Sequence, residues 1–384
     1  MPQEKENENM NILFLIGHIG HGGAENVVAT LTSQLAQKGH RITLVTHLKN
    51  QFYTVAPEVN LIDVRKWEYD TFEGKLPVRI FKKIANRFKD YSNIKRIIRE
   101  EKPDVTISFL AAWLWQLIFL CKDTPLICAE RNAMEYPHGR NNFLTKRILY
   151  KRAYAVQVMS RYDKAWLRNR YRRVFPMPNP LRFEPLTLEK YDSIFANRKN
   201  ILACGRIHPQ KGFEKLISAF SKIADKYPEW NVDIVGLKES DDYFNSLVKM
   251  INGFGLEDRI HFLGPRNDMD AIMQSHSVFC LSSQHEGFPN VLSEAMANGM
   301  ASVSFDIVTG PSEIIIDGLD GVIVEDQNED ELAEGLSSIM ADKGLRYLLG
   351  ANAIKNIKRF ERDKIVDRWE QFFLRISNEY KYSK

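Results

Sequence analysis

Near its start the chain alternates strand, tight turn, helix and strand, and few folds accept that order. Asn11 to Gly17 reads as a strand, and Gly17-His-Ile-Gly20-His-Gly22-Gly23-Ala-Glu25 as a glycine-rich turn. Val27, Val28, Leu31 and Leu35 form the apolar stripe of a helix, which Gly39 ends before a second strand at Arg41 to Thr46. Two strands joined through a helix run parallel, and the resulting sheet is covered on both faces, so a doubly wound α/β domain is expected. Pro103-Asp-Val-Thr-Ile-Ser, Pro125-Leu-Ile-Cys-Ala and Ala155 to Ser160 supply further strands. The proline-rich stretch Phe175 to Pro180 reads as an interdomain linker. The alternation then resumes, with strands near 201–205, 231–236, 259–263, 277–282, 301–305 and 321–324.

A chain of 384 residues suits two or three domains, and 44% hydrophobic residues suit ordinary globular cores. Cys121, Cys128, Cys204 and Cys280 lack metal-type spacing and read as reduced core residues of a cytosolic protein. Met1 to Asn9 is polar and acidic, unlike a secretory signal. Val105 to Cys121 is nearly continuously apolar, but it is short for a span and carries Thr106, Ser108 and Gln116. It reads as a buried strand, Val105 to Leu110, followed by a short apolar helix. Between Lys75 and Arg99, basic residues including Lys82, Lys83 and Arg87 interleave with Phe81, Phe88 and Tyr91. That pattern suits either a solvated helix face or an anionic membrane surface. A second basic stretch, Arg140 to Arg182, brings no nucleic-acid-binding motif, and no nucleic acid is expected as a partner.

Two segments of the second half carry the chemistry. Ser277 to Ser283 reads as a buried strand, Gln284 to Pro289 as a loop, and Asn290 as the N-cap of a helix closed by Gly299. Glu286 falls in the loop and Glu294 about one turn into the helix. The helix start offers unpaired N–H groups to a phosphate, and the loop carboxylate offers acceptors to sugar hydroxyls. Asn200 to Gly205 is a second strand, followed by a turn carrying Arg206 and Lys211 and by an apolar helical stripe, Leu216, Phe220, Ile223 and Tyr227. A guanidinium and an ammonium at that turn can neutralise a diphosphate and a leaving group.

Glu286-x7-Glu294 after Ser282-x-x-His285, together with Gly205-Arg206-x-x-x-Gln210-Lys211-Gly212, resembles the large retaining glycosyltransferase family 4. The resemblance implies a GT-B fold: two Rossmann-like doubly wound domains facing across a cleft, with a last helix crossing back to the first domain. The corresponding divisions are 1–178 for the acceptor, 179–362 for a nucleotide-sugar donor, and 363–384 for the returning helix, which carries Trp369, Phe372 and Phe373. It further implies that Glu286 binds donor-sugar hydroxyls, Glu294 the nucleotide ribose, and Arg206 and Lys211 the diphosphate. Gly205, His285, Gly287, Phe288, Pro289, Asn290 and Val291 would complete the donor site. Gly22, Gly23 and His21 lie in the glycine loop, which in the family faces donor phosphates and acceptor. The loop Thr309 to Glu313 lies near the donor in the family. Glu130, Arg131 and Asn132 follow a strand end and read either as acceptor or donor-sugar contacts or as a structural ion pair. Several family members carry a histidine after the strand that here ends Ser108-Phe109-Leu110-Ala111. Its absence leaves the donor-sugar contact to another group, with the Glu130 loop as the candidate.

The activity so implied is transfer of a hexose or N-acetylhexosamine, with retention and without a metal or cofactor, from a UDP-sugar to a glycan or lipid-linked acceptor in surface-polysaccharide synthesis. A cytoplasmic, peripheral membrane location goes with it. A UDP-sugar 2-epimerase and an inactive sugar-binding subunit of the same fold stay open as alternatives. A dinucleotide-binding dehydrogenase does not, because Gly20-His-Gly22-Gly23 lacks the Gly-x-Gly-x-x-Gly spacing.

Overall fold

Every strand pairing among the described residues is parallel. The computed structural model describes residues 9–20, 22–47, 52–64, 76–109, 114–131 and 147–383, without the side chains of 76–84. The chain forms two units. The first holds Met1–Met159, Asp163–Pro180 and Ile365–Lys384; the second holds Ser160–Tyr162 and Leu181–Lys364.

In the first unit the strands are β1 (Asn11–Leu15), β2 (Arg41–Thr46), β3 (Asn60–Asp63), β4 (Val105–Phe109), β5 (Leu126–Ala129), β6 (Ala155–Val158) and β7 (Val174–Pro176). Their order is β3-β2-β1-β4-β5-β6-β7. The apolar run from Val105 resolves into β4 and a helix at Leu114–Leu120, and no described helix is long and apolar enough to cross a membrane. Two strands go beyond the sequence reading. β3 is short and half-buried. β7 includes Phe175 and Pro176 from the stretch read as linker. Proline is tolerated there because β7 is an edge strand, with no ladder beyond it to lose a donor.

In the second unit β8 (Lys199–Cys204), β9 (Val232–Val235), β10 (Ile260–Gly264), β11 (His276–Leu281), β12 (Ala301–Phe305) and β13 (Val322–Val324) lie in the order β10-β9-β8-β11-β12-β13. All six match the strands read from sequence. The helix after β8 is shorter than its apolar stripe. It runs Phe213–Ser221, and a 3-10 turn at Ala224–Lys226 then carries Tyr227 into the same core. The Tyr227 hydroxyl donates to the Ser337 carbonyl at 3.0 Å, which secures that turn.

The final helix, Arg362–Lys381, packs from Ile365 onward in the first unit. Phe373 meets Phe14 of β1 edge-on at 5.8 Å, and Trp369 meets Phe109 of β4 at 6.2 Å. At the helix's polar margin the Met10 N–H donates to His40 Nδ1 at 3.1 Å. His40 Nε2 therefore carries the ring proton and donates it to Glu370 at 2.8 Å. Burial alone would raise the Glu370 carboxyl, but hydrogen bonds from Lys38 and His40 outweigh it and hold the group below its ordinary value. Trp369 is fully buried. Trp369→Ala should therefore destabilise the first unit by about 3–5 kcal/mol. Urea unfolding followed by tryptophan fluorescence measures this, and a loss below about 1 kcal/mol would show that the helix is not integral to this core.

Candidate active site

In the second sheet the strand order reverses between β8 and β11, which lie side by side. The loops leaving their carboxyl ends turn to opposite faces, and crevices at such points bind ligands in doubly wound sheets. The two segments singled out from sequence are these loops. Lys211 Nζ lies 2.6 Å from Glu286 Oε1, and the Ser283 hydroxyl donates to the same oxygen at 2.8 Å. Both charged side chains are mostly buried, at 15% and 11% exposure. Thr309, after β12, donates to the Glu286 carbonyl. Oε1 is thus held by two donors, and no described residue donates to Oε2.

The loops are stitched to one another. Gln284 N–H donates to the Gln210 carbonyl at 2.8 Å, the Gln210 side-chain amide to the His285 carbonyl at 3.0 Å, and the Ser282 hydroxyl to the Lys211 carbonyl at 2.9 Å. Gly212 makes this approach possible. It has φ +60°, and a Cβ there would sit 2.2 Å from the Ser282 carbonyl. Gly205 has φ +156°, and its missing side chain leaves room for the Lys211 stem, whose carbons would lie 2.8–3.0 Å from a Cβ.

The helix after Glu286 runs Asn290–Ala297. Pro289, not Asn290, occupies its capping position, and no side chain caps the first turn. Its start presents the positive end of the helix dipole, which favours an anionic ligand. Gly287 and Val291 flank this helix start and are half-buried, and Phe288 is buried with its ring edge-on to Phe360 at 5.5 Å. Glu294 is 8% exposed. Burial pushes its carboxyl up to about 7, opposed only by the charge of Arg182.

Arg206 stands apart from the Lys211–Glu286 pair. Its guanidinium bonds Glu239 at 2.7 Å and is 54% exposed. An exposed pair of this kind is worth no more than about 1 kcal/mol, so Arg206 is free to change partner. One Asp-x-Asp spacing exists, Asp268-Met-Asp270, after the edge strand β10. Asp268 there is engaged by both Nε and Nη2 of Arg266, and Asp270 by Gln274.

Two residues that sequence reasoning misses help shape the site. Glu239 and Gly236 both follow β9, and a Cβ on Gly236 would lie 1.7 Å from the Gly205 carbonyl. Ser283 and Thr309 lie within segments that the sequence reading singled out, Ser283 at the end of the strand before Glu286 and Thr309 at the start of the loop to Glu313.

In the first unit the candidate residues lie at the carboxyl ends of β1 and β5. Gly22 precedes the helix Gly23–Gln37, and a Cβ on it would sit 2.0 Å from a Glu25 carboxylate oxygen. Glu25 is buried and lies 3.3 Å from His18 Nδ1. Glu130 and Arg131 are both buried. Tyr150 donates to Glu130 at 2.6 Å, Arg131 N–H donates to the same carboxylate at 2.9 Å, and Arg131 Nη2 donates to Asn179 at 2.5 Å. The guanidinium lies 5.3 Å from the Phe109 ring centre, over the end of β4. Its Nε and Nη1 are buried without a hydrogen-bond partner. Desolvation lowers Arg131 to about 10, while Glu130 and Glu25 favour its charge. Among the described contacts, the Glu130 and Arg131 side chains are not joined by a hydrogen bond and are coupled through their charges. His21, Asn132, Lys75 and the side chains of Lys82 and Lys83 lie outside the described residues.

Family profiles cover both units. The Glycosyltransferase Family 4 profile matches residues 21–181, and the Glycosyl transferases group 1 profile matches residues 189–356. A GalNAc-alpha-(1->4)-GalNAc-alpha-(1->3)-diNAcBac-PP-undecaprenol alpha-1,4-N-acetyl-D-galactosaminyltransferase of Campylobacter jejuni is 28% identical over 374 residues, covering 96% of this chain and 99% of that one. Among solved structures, sucrose-phosphate synthase from Thermosynechococcus elongatus aligns at TM-score 0.78 and 18% identity, over 96% of this chain and 99% of that one. HepE of Anabaena in complex with UDP and glucose aligns at TM-score 0.75 and 19% identity, over 95% and 99%.

Proposed function

Because the chain belongs to the glycosyltransferases that join a family 4 domain to a group 1 domain, we propose that it moves a hexose or N-acetylhexosamine from a UDP-sugar to an acceptor hydroxyl, with retention of configuration. The acceptor proposed is a glycan or lipid-linked saccharide of a bacterial surface polysaccharide, used at the cytoplasmic face of an anionic membrane. One observation carries the donor reading: Glu286 is locked through Oε1, while no described residue donates to Oε2, which leaves that oxygen as the acceptor for a sugar hydroxyl.

The geometry supports the following division of labour. Lys211 has three N–H donors and spends one on Glu286, so it can bond a diphosphate oxygen without releasing the carboxylate. Arg206 exchanges Glu239 for the diphosphate. The helix that starts at Asn290 adds its positive dipole end. As the glycosidic bond breaks, negative charge grows on the leaving diphosphate, and these groups would stabilise it. Glu294 receives the ribose hydroxyls, and His285, Gly287, Phe288, Pro289 and Val291 shape the wall beside them. In the first unit, Arg131 and Glu130 hold hydroxyls of the acceptor or donor sugar, with Gly22 and Gly23 keeping the backbone low beside them. The guanidinium over Phe109 supports Arg131 as the group that replaces the histidine absent after β4. The Campylobacter relative is named for a lipid-linked saccharide acceptor and HepE was solved with UDP and glucose, which supports the choice of substrates.

The test is transfer from UDP-hexoses and UDP-N-acetylhexosamines to lipid-linked saccharides in EDTA, with the anomeric configuration of the product read by NMR. Retained α-linkage and undiminished turnover in chelator are expected, since cations and the helix end supply the charge. An inverted product, or activity recovered only with Mg²⁺ or Mn²⁺, would refute the mechanism. Conversion of donor without acceptor would favour an epimerase.

A further inference from the structure

At the other edge of the first sheet, where β5, β6 and β7 begin, a cavity of about 240 Å³ is lined by Cys121, Thr124, Arg152, Tyr154, Arg173 and Tyr380 among others. Parallel strands put their amino ends opposite the edge that carries Gly22, Glu130 and Arg131. None of the cavity's residues has a part in the transfer reaction proposed above.

Its polar groups are unusual for a packing defect. Thr124 is 4% exposed, and its hydroxyl is buried without a hydrogen-bond partner. The Tyr154 hydroxyl is likewise buried and unpartnered. Buried hydroxyls normally find partners, and these two belong to residues that line one cavity. The charge around it is positive. Arg173 lies over the Tyr154 ring at 4.1 Å. Arg152 lies 5.8 Å from the Phe119 ring centre at the rim. An adjoining cavity, which shares Tyr154 and Arg173, adds Lys151, Arg170 and Arg172. Glu379 is the carboxylate that faces Arg173, at 3.6 Å, and it is already bonded to Arg375 at 2.7 Å. Among the described residues, no other carboxylate pairs with these cations.

We propose that this cavity binds the phosphate of a small phosphate ester, with Arg152 and Arg173 taking the oxyanion and Thr124 and Tyr154 donating their hydroxyls to it. Arginine's planar fork matches phosphate oxygens, and the volume admits a phosphate with a glycerol-sized substituent. The ester can come from solution or from a lipid headgroup. Trp115 and Phe119, one turn apart on the helix Leu114–Leu120 and 46% and 48% exposed, provide an apolar rim for the second source.

The experiment uses the full chain and two double variants. Thr124→Val/Tyr154→Phe removes hydroxyls that bond nothing in the free protein, so its melting temperature should equal or exceed that of the parent. Arg152→Gln/Arg173→Gln removes the charge. Glycerol phosphate should raise the Tm of the parent in a saturable way. Both variants should bind it at least tenfold more weakly, with turnover of the UDP-sugar unchanged. Sedimentation with phosphatidylglycerol vesicles, with and without competing glycerol phosphate, then separates the sources. Competition identifies the headgroup, and thermal stabilisation without vesicle binding identifies the free ester. If glycerol phosphate gives no Tm shift and no competition, the proposal fails. It also fails if the arginine variant loses binding while the hydroxyl variant keeps it, because that result describes surface charge and not a site.

Discussion

Lys211→Ala should lower the rate of sugar transfer by about 10²–10³ at saturating donor, the usual effect of deleting one preorganised group that meets developing negative charge. Lys211 fits that role better than any other cation in the loops. Its ammonium is pinned 2.6 Å from Glu286 and is only 15% exposed, so its field is weakly screened and its position is settled before substrate arrives. UDP affinity should fall with it, because the role proposed for the group is on phosphate. Glu286→Gln separates the two effects. It keeps the shape and the Ser283 contact but weakens the acceptor for sugar hydroxyls, so turnover should fall steeply while UDP affinity stays close to that of the parent. Arg206→Ala should cost less, because Arg206 is half-exposed and must first leave Glu239. Steady-state kinetics and UDP calorimetry, with a melting curve for each variant, decide the matter. Turnover of Lys211→Ala within threefold of the parent would remove the lysine from the mechanism.

How much of this is legible in the sequence depends on whether a feature is local. The strands of the second unit stand out because each is a buried, continuous apolar run between turn residues, such as Ser277-Val-Phe-Cys-Leu. Glu286 and Lys211 stand out because each follows such a run where a helix begins. β3 does not, because Asn60-Leu-Ile-Asp63 is a half-buried edge strand with polar ends, and sequence alone shows four unremarkable residues. The end of the helix at Ser221 is hidden for a related reason. The 3-10 turn after it keeps Tyr227 on the same core, so the apolar spacing outlasts the helix. Gly236 and Glu239 are invisible because their importance lies in what β9 brings next to β8. The orphan nitrogens of Arg131 are a purely tertiary fact. Sequence places an arginine at the end of β5, but only the folded chain shows it under Glu25's influence and over Phe109.

Glu294→Gln should stabilise the free protein at alkaline pH while spoiling its nucleotide site. Burial raises the Glu294 carboxyl from 4.5 to about 7. A carboxyl raised in the folded state holds its proton longer folded than unfolded. It therefore costs nothing below pH 4.5, costs progressively more as pH rises from 4.5 to 7, and costs its full amount above 7. The gap between 4.5 and about 7, at 1.36 kcal/mol per pKa unit, makes that full amount about 3 kcal/mol. Glutamine carries no such charge, so the variant should melt above the parent at pH 8, with the advantage shrinking to nothing near pH 4.5. Equal melting temperatures across that range would show that the carboxylate is solvated after all. A ligand reverses the balance. In the role proposed for Glu294, ribose hydroxyls donate to it and favour its ionised form, so UDP binding at pH 7 should release about half a proton, seen as a dependence of the binding enthalpy on the buffer's ionisation heat. The variant should release none and bind UDP about 10- to 100-fold more weakly, the range for a lost hydrogen bond to a charged group. Buffer-independent enthalpy in the parent, or undiminished affinity in the variant, would place the ribose elsewhere. The buried carboxylate is, on this reading, a destabilising group kept in the fold because the nucleotide supplies the donors it lacks.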